Sequence, residues 1–138
     1  MDESEMRRRV ETARVAHLAT AGSEGKPHVV AICFALDGDA LYFAVDSKPK
    51  HSRDLKRLRN IAGNPSVSVL VDHYVEDWSR LWWVRIDGSA RIISDGLEFH
   101  RAIELLIGRY SQYADARPPG PVVAITIDRM SGWTASGP

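Results

Sequence analysis

HVVAICFALDGDALYFAV, residues 28–45, is the stretch on which the fold turns. His28 to Leu36 is a nearly continuous apolar run rich in β-branched residues and is predicted to be one strand. Asp37-Gly38 is a hairpin signal, and Ala40 to Val45 reads as the returning strand. Both faces of the first strand are apolar. Val30, Ile32, Phe34 and Leu36 fall on one side, and Val29, Ala31, Cys33 and Ala35 on the other. A small barrel has one interior, so the outward face needs a cover: a helix, a second subunit or a bound aromatic ligand.

Outward from this hairpin the chain alternates short strands with few helices. Ser4 to about Val15 carries Met6, Val10 and Ala13 at helical spacing. Ala16 to Thr20 is a short strand, followed by the Gly22–Pro27 turn. A helix is predicted from about Ser52 to Ala62, with Leu55, Leu58 and Ala62 on its apolar face and Gly63-Asn64-Pro65 as its stop. Val67, Val69 and Val71 alternate strictly in the strand Ser66–Val71. Arg80–Ile86 and Ser89–Ile93 read as two strands joined by a hairpin at Asp87-Gly88. Asp95 and Glu98 have capping-box spacing ahead of a helix with Leu97, Ile103, Leu106, Ile107 and Tyr110 along one stripe. Pro121 to Ile127 is the last predicted strand, and residues from about 130 to 138 form a tail holding Trp133. Six or seven hairpin-linked strands with peripheral helices make a mainly β fold, an antiparallel barrel in a single domain over 1–138. Trp82 and Trp83 are consecutive and so point to opposite faces of their strand. Together with the two-faced apolar run they predict a homodimer with a ligand groove at the interface.

Composition narrows the function. The 138 residues include 18 basic and 18 acidic side chains, a formal charge of zero, which excludes a globally basic nucleic-acid coat. A single cysteine, Cys33, excludes an internal disulfide framework and a CxxC site, and its apolar strand predicts an inert buried thiol. Apolar runs are far shorter than the roughly 18 residues of a membrane helix. The N-terminus is acidic, unlike a signal peptide. The expectation is a soluble cytoplasmic protein.

Neutrality is the sum of two unequal parts. Asp46 to Arg59 holds six basic residues against Asp46 and Asp54, so it carries +4, and the remaining twelve basic and sixteen acidic residues carry −4. The positive part lies where a strand hands over to a helix. With Ser52 as N-cap, the amides of the first turn face the preceding loop, where Lys48, Lys50 and Arg53 converge. Free amides, a helix dipole and two or three cations make a phosphate site. Cations at a helix N-terminus are mildly unfavourable unless an anion joins them. No aromatic residues interleave with these cations and there is no second basic stripe, so nucleic acid is a poor fit.

Other chemistries lack their motifs. There is no G-x-G, no GxxxxGK[ST] loop and no G-x-S-x-G elbow. His17, His28, His51, His73 and His100 are scattered without metal-ligand spacing, and Asp72-His73 reads as structural. With neither a protein nucleophile nor a metal set, a cofactor is expected to carry any reaction.

The turn GKPH (25–28) with its apolar strand, then FAVDSKPKHSRDLKRLRNIAGNP (43–65) and DHYVEDWSRLWWVRIDG (72–88), resemble the pyridoxamine-phosphate-oxidase-like split β-barrel superfamily. Within it they are most similar to the small flavin or deazaflavin (coenzyme F420) oxidoreductases. The resemblance spans about Val10 to Trp133. It implies an FMN-binding type of split barrel, with cofactor grooves along a homodimer interface. It implies that Lys48 and Lys50 hold the cofactor phosphate, with Ser47, Pro49 and Arg53 shaping that loop. His28 and Val30 would face the ring system, Trp78 would wall the ring or the substrate near the opposite subunit's groove, and Trp133 would close the site. The chain ends DRMSGWTASGP, without the arginine-rich ending of true pyridoxamine-phosphate oxidases, which argues against pyridoxal-phosphate synthesis. Two function classes follow: an oxidoreductase passing a hydride between coenzyme F420 (alternatively FMN) and a small organic molecule, and a non-catalytic carrier of the same cofactor.

Overall fold

The computed structural model describes residues 1–45 and 55–137. Among these residues, seven antiparallel strands form one sheet in the order β2-β1-β5-β6-β7-β4-β3. They are β1 (Ala16–Thr20), β2 (His28–Ile32), β3 (Ala35–Asp37), β4 (Ala40–Ala44), β5 (Ser66–His73), β6 (Trp82–Ile93) and β7 (Val122–Thr134). The helices are α1 (Glu3–Thr12), α2 (Lys56–Gly63), α3 (Leu97–Arg109) and α4 (Ser111–Asp115), with one 3-10 turn at Trp78–Arg80.

The run HVVAICFAL is not one strand. It breaks at Cys33-Phe34 into β2 and β3, which lie at the two opposite edges of the sheet. Seven strands about 4.8 Å apart would put flat edges roughly 29 Å from each other. Three residue steps, Ile32 to Ala35, reach roughly 11 Å at most. The sheet therefore curls until its edges approach without pairing, which makes a split barrel. The alternation anticipated along the run survives the break. Ile32 and Phe34 are buried in the interior, and Ala35 is buried on the outside beneath α3.

Two cores result. Leu18, Phe34, Leu41, Phe43, Val69, Val84, Ile86 and Ile125 fill the barrel, and Met6 and Val10 of α1 join them. Asp2 caps α1, its carboxylate accepting from the Glu5 amide at 2.9 Å. Outside the barrel, Ala102, Ile103 and Leu106 of α3 pack on Tyr42, Ala44, Val122 and Ala124. One helix thus covers the outer face of β3, β4 and β7.

Three further expectations change. Asp37-Gly38 does turn a hairpin, with Gly38 at φ +58°, but Asp87-Gly88 does not. β6 runs straight through it, and the extra residue is Asp128 on β7, because Asp87 pairs with Arg129 while Gly88 pairs with Ile127. Gly88 is there because a Cβ would lie 2.3 Å from the Thr126 carbonyl oxygen. Asp95 and Glu98 form no capping box. Gly96 occupies the N-cap of α3 without a side-chain bond, and Glu98 instead accepts from Tyr42 and Arg91. The C-terminal tail is strand as far as Thr134, pairing with the whole length of β6. Among the described residues, no helix is long and apolar enough to cross a membrane.

Candidate functional site

Where β2 ends and crosses to β3, a cavity of about 530 Å³ opens on the molecule's surface. Ala31 and Cys33 form one wall, Ala44 at the end of β4 a second, and Arg57 of α2 a third. Arg14 and Val15 from the α1–β1 link, with Tyr110, Gln112 and Tyr113 from the α3–α4 junction, complete it. Cys33 is half-buried and lines this space, so it is not the fully buried thiol anticipated from the apolar run. The strand break that sends the chain across the barrel mouth is what brings it there.

Among the described residues, the lining carries two guanidinium groups and no carboxylate. Arg14 Nη2 donates to the Arg109 carbonyl at 2.7 Å, and its guanidinium carbon lies 4.5 Å from the centre of the Tyr110 ring. Arg109 donates to the carbonyls of Glu11 and Ala13, and sits over the rings of Phe34 and Tyr110. The Tyr110 hydroxyl is placed to donate to the carbonyls of Arg14 (3.0 Å) or Phe34 (3.1 Å) while accepting from the Phe34 amide. One phenol therefore joins the end of α3, the α1–β1 link and the β2–β3 crossing at the far wall of the cavity.

The helix beside the cavity starts later than expected. α2 begins at Lys56 with Leu55 as its N-cap, and among the described residues no side chain caps its first amides; Ser52, the expected N-cap, lies outside the described residues. It has no acidic residue in its first turn, so the positive end of the helix is uncompensated from within α2. Ser47, Lys48, Pro49, Lys50 and Arg53 lie outside the described residues. Their flanks border the cavity: Ala44 precedes the segment, Arg57 follows it, and both are in the lining. Val45 is anchored by its amide to the Pro121 carbonyl at 3.0 Å.

His28 and Val30 lie on the barrel side of β2. In the β1–β2 register they pair with Thr20 and Leu18, whose side chains are buried. Val30 accordingly packs against the barrel core, and His28 Nδ1 is buried without a hydrogen-bond partner. Their neighbours Val29 and Ala31 face outward. Trp78 is 66% exposed and donates its indole N–H to the Tyr74 hydroxyl at 3.3 Å. Asp77 fixes the turn by accepting from the Ser79 amide and hydroxyl, which also holds its carboxyl below the ordinary range. Trp78 does not line the cavity of its own chain.

The outer face of β2-β1-β5-β6 bears a second concavity, lined in part by His17, Val29, Leu70, Trp83 and Arg85. Trp82 and Trp83 do take opposite faces. Trp82 stacks on His73 at 5.8 Å and packs against the barrel core. Trp83 faces out, directly opposite Trp133 on β7. Arg14, Tyr110, Gln112 and Tyr113 were not singled out from sequence. They come from segments about a hundred residues apart, and only Tyr110 carried a signal, as part of a helical stripe.

The family model described as pyridoxamine 5'-phosphate oxidase matches residues 2–134. No curated protein matches the chain. Among solved structures, a conserved hypothetical protein of Mycobacterium tuberculosis superposes with a TM-score of 0.79 at 23% identity, over 99% of this chain and 86% of its own. An FAD-binding protein of Mesorhizobium loti gives 0.73 at 24% identity, over 96% of this chain and 92% of its own. The heme storage protein HutZ of Vibrio cholerae gives 0.75 at 16% identity, over 96% of this chain and 93% of its own. At these identities the likeness is one of fold.

Proposed function

Because the chain belongs to the pyridoxamine 5'-phosphate oxidase family, we propose that it binds a flavin-type cofactor, coenzyme F420 or alternatively FMN, and exchanges a hydride between that cofactor and a small organic molecule. The observation that carries this reading is the cavity beside α2. Among the described residues, its lining has guanidinium groups and no carboxylate, tyrosines 110 and 113 form an aromatic wall, and no side chain caps the helix N-terminus next to it. A phosphorylated aromatic cofactor matches that lining, and about 530 Å³ is within the usual range for such sites.

The redox chemistry is supplied by the cofactor's ring when it is bound. The chain's own residues bind, orient and exclude water. Lys48 and Lys50 would meet the phosphate together with the first amides of α2, Ser47, Pro49 and Arg53 shaping the loop between. β2 is an edge strand, so backbone N–H and C=O groups along His28–Ile32 are available on its free side for the polar rim of a ring system. With His28 and Val30 turned inward, the ring contacts fall to that backbone and to the outward Val29 and Ala31.

The second element of the reading is a homodimer. Val29 is 62% exposed and Trp133 46%, on the same broad face as Leu70 and Trp83. Such an apolar face, with His17, Asp72 and Arg85 among it, suits a second copy of the chain, and Trp78 would then reach the partner's groove. FAD- and heme-binding proteins share the fold, so the cofactor is decided by binding and not by architecture.

The test is a titration of purified protein with FMN and with F420, followed by desalting. Retained cofactor with micromolar affinity is expected, and failure of both to bind overturns the reading. Lys50→Ala is expected to weaken binding by about 1.5–3 kcal/mol, the scale of one charge-assisted hydrogen bond. Reoxidation of the reduced cofactor by enones or quinones separates enzyme from carrier. Light scattering of wild type against Leu70→Asp checks the dimer: a wild-type mass of one chain sinks it.

A further inference from the structure

Many arginines on this surface have a carboxylate partner, Arg8 and Arg9 sharing Glu5. Arg7 pairs with Asp39, Arg85 with Asp87, Arg91 with Glu98, Arg101 with Asp37 and Arg117 with Glu104. Arg14 and Arg109 are different. They share the Tyr110 ring, at 4.5 and 5.6 Å, and their hydrogen bonds run to backbone carbonyls and the Tyr110 hydroxyl. Among the described residues, neither guanidinium has a carboxylate partner. Arg109 spends its donors on Glu11, Ala13 and Tyr110, tying down α1. Arg14 makes one hydrogen bond, from Nη2, and its other donors remain for a ligand at the wall of the cavity.

The Tyr110 ring face and one backbone carbonyl hold the Arg14 guanidinium without neutralising its charge. A preformed guanidinium, stacked on an aromatic face and tethered at one nitrogen, loses little freedom when it takes an oxyanion. The neighbouring lining, Gln112 and Tyr113, is polar and aromatic, with no acidic group among the described residues.

We infer that Arg14 is the recognition point for a second anionic group, a carboxylate or phosphate, on the molecule that occupies this cavity. It is distinct from the phosphate placed at the start of α2. The inference rests on the cofactor reading above and narrows it: the occupant is anionic at two places, one near α2 and one near the α1–β1 link. The second anion belongs either to an extended cofactor tail or to an acidic substrate lying beside the ring.

The experiment compares wild type, Arg14→Gln and Arg14→Lys with riboflavin (no anion), FMN (one phosphate), and FAD and F420 (further anionic groups), by equilibrium dialysis. If the tail is the source, Arg14→Gln weakens FAD or F420 by roughly tenfold or more while FMN and riboflavin change less than about twofold, and Arg14→Lys recovers part of the loss. If an acidic substrate is the source, all four ligands are unchanged, and the FMN- or F420-loaded Arg14→Gln protein loses affinity for anionic enones but not for neutral ones. Equal loss across all ligands, or no loss in either arm, overturns the inference. Thermal stabilisation by inorganic pyrophosphate is a readout that needs no flavin: it is expected in wild type and diminished in Arg14→Gln. If no flavin binds the wild-type protein, the cofactor reading fails, and the pyrophosphate result alone decides the role of Arg14.

Discussion

The Phe34 amide N–H donates to the Tyr110 hydroxyl at 3.1 Å, joining positions 76 residues apart. Phe34 is at the crossing between the two edges of the sheet, where strand pairing is interrupted, so its amide has no ladder partner and is satisfied by a side chain. Tyr110→Phe keeps the ring under Arg14 but leaves that buried amide unpaired. A loss of about 1–3 kcal/mol in denaturant-unfolding stability is expected. A change within experimental error would mean the amide finds another partner.

Gly88 tests the reassigned strand. If Asp87-Gly88 were a hairpin turn, Gly88→Ala would act only through turn conformation. In the continuous β6, the new methyl group meets the Thr126 carbonyl oxygen and the Ile125 side chain. Destabilisation by about 2 kcal/mol or more follows, and thermal unfolding measures it. Gly38→Ala at the true hairpin strains a φ of +58° with nothing within 4 Å, so its cost is backbone conformation alone.

Alkaline stability depends on Tyr42. Burial first, and then its hydrogen bond to Glu98, push the phenol from 10.0 up to about 12. The folded state keeps a proton that the unfolded state loses. This stabilisation is complete below pH 10 and is lost as the pH rises towards 12. Glu98 shifts the opposite way, lowered mainly by its bond from Arg91. Its contribution is present above the ordinary carboxylate range and is lost on acidification, and it is small because both side chains are well exposed. In Tyr42→Phe the fall in stability between pH 10 and 12 should be shallower than in wild type, as followed by circular dichroism. Parallel curves would remove Tyr42 as its cause.

Cys33 reports occupancy of the cavity. It lines the same space as Arg14 and Tyr113, so a thiol reagent should modify it in the free protein and react at least several-fold more slowly once FMN or F420 is bound. Modification with a bulky maleimide should conversely block cofactor retention. Labelling at an unchanged rate in the presence of bound cofactor would move the cofactor out of this cavity.

What was legible in the sequence was whatever neighbouring residues decide. Alternation along Val67, Val69 and Val71 marked a half-buried strand, and consecutive tryptophans had to face apart. The same Asp-Gly dipeptide shows the limit. At 37–38 it turns the chain, because nothing but φ is at issue. At 87–88 it serves a close approach by Thr126, which no local window contains. Likewise, HVVAICFAL has the composition of one strand, and only the strand order reveals that it serves two edges. The cationic segment was visible as charge. Arg14 was not, since its role depends on Tyr110 and Arg109, and so on how α3 docks.

Among the described residues, β7 lies between β6 and β4, and the β3–β4 hairpin is hydrogen-bonded to the rest of the sheet only through it. A ribosome-bound chain that has not yet released residues 122–134 therefore holds two separate pieces of sheet: β2-β1-β5-β6, and an isolated hairpin. The barrel mouth, with Cys33 and Ala44 on its rim, takes shape only when β7 slots between them. Ligand capture by a nascent chain must then wait for nearly the last residue of the fold. Before that point, the unpaired edges of β6 and β4 are the surfaces a chaperone would have to shield.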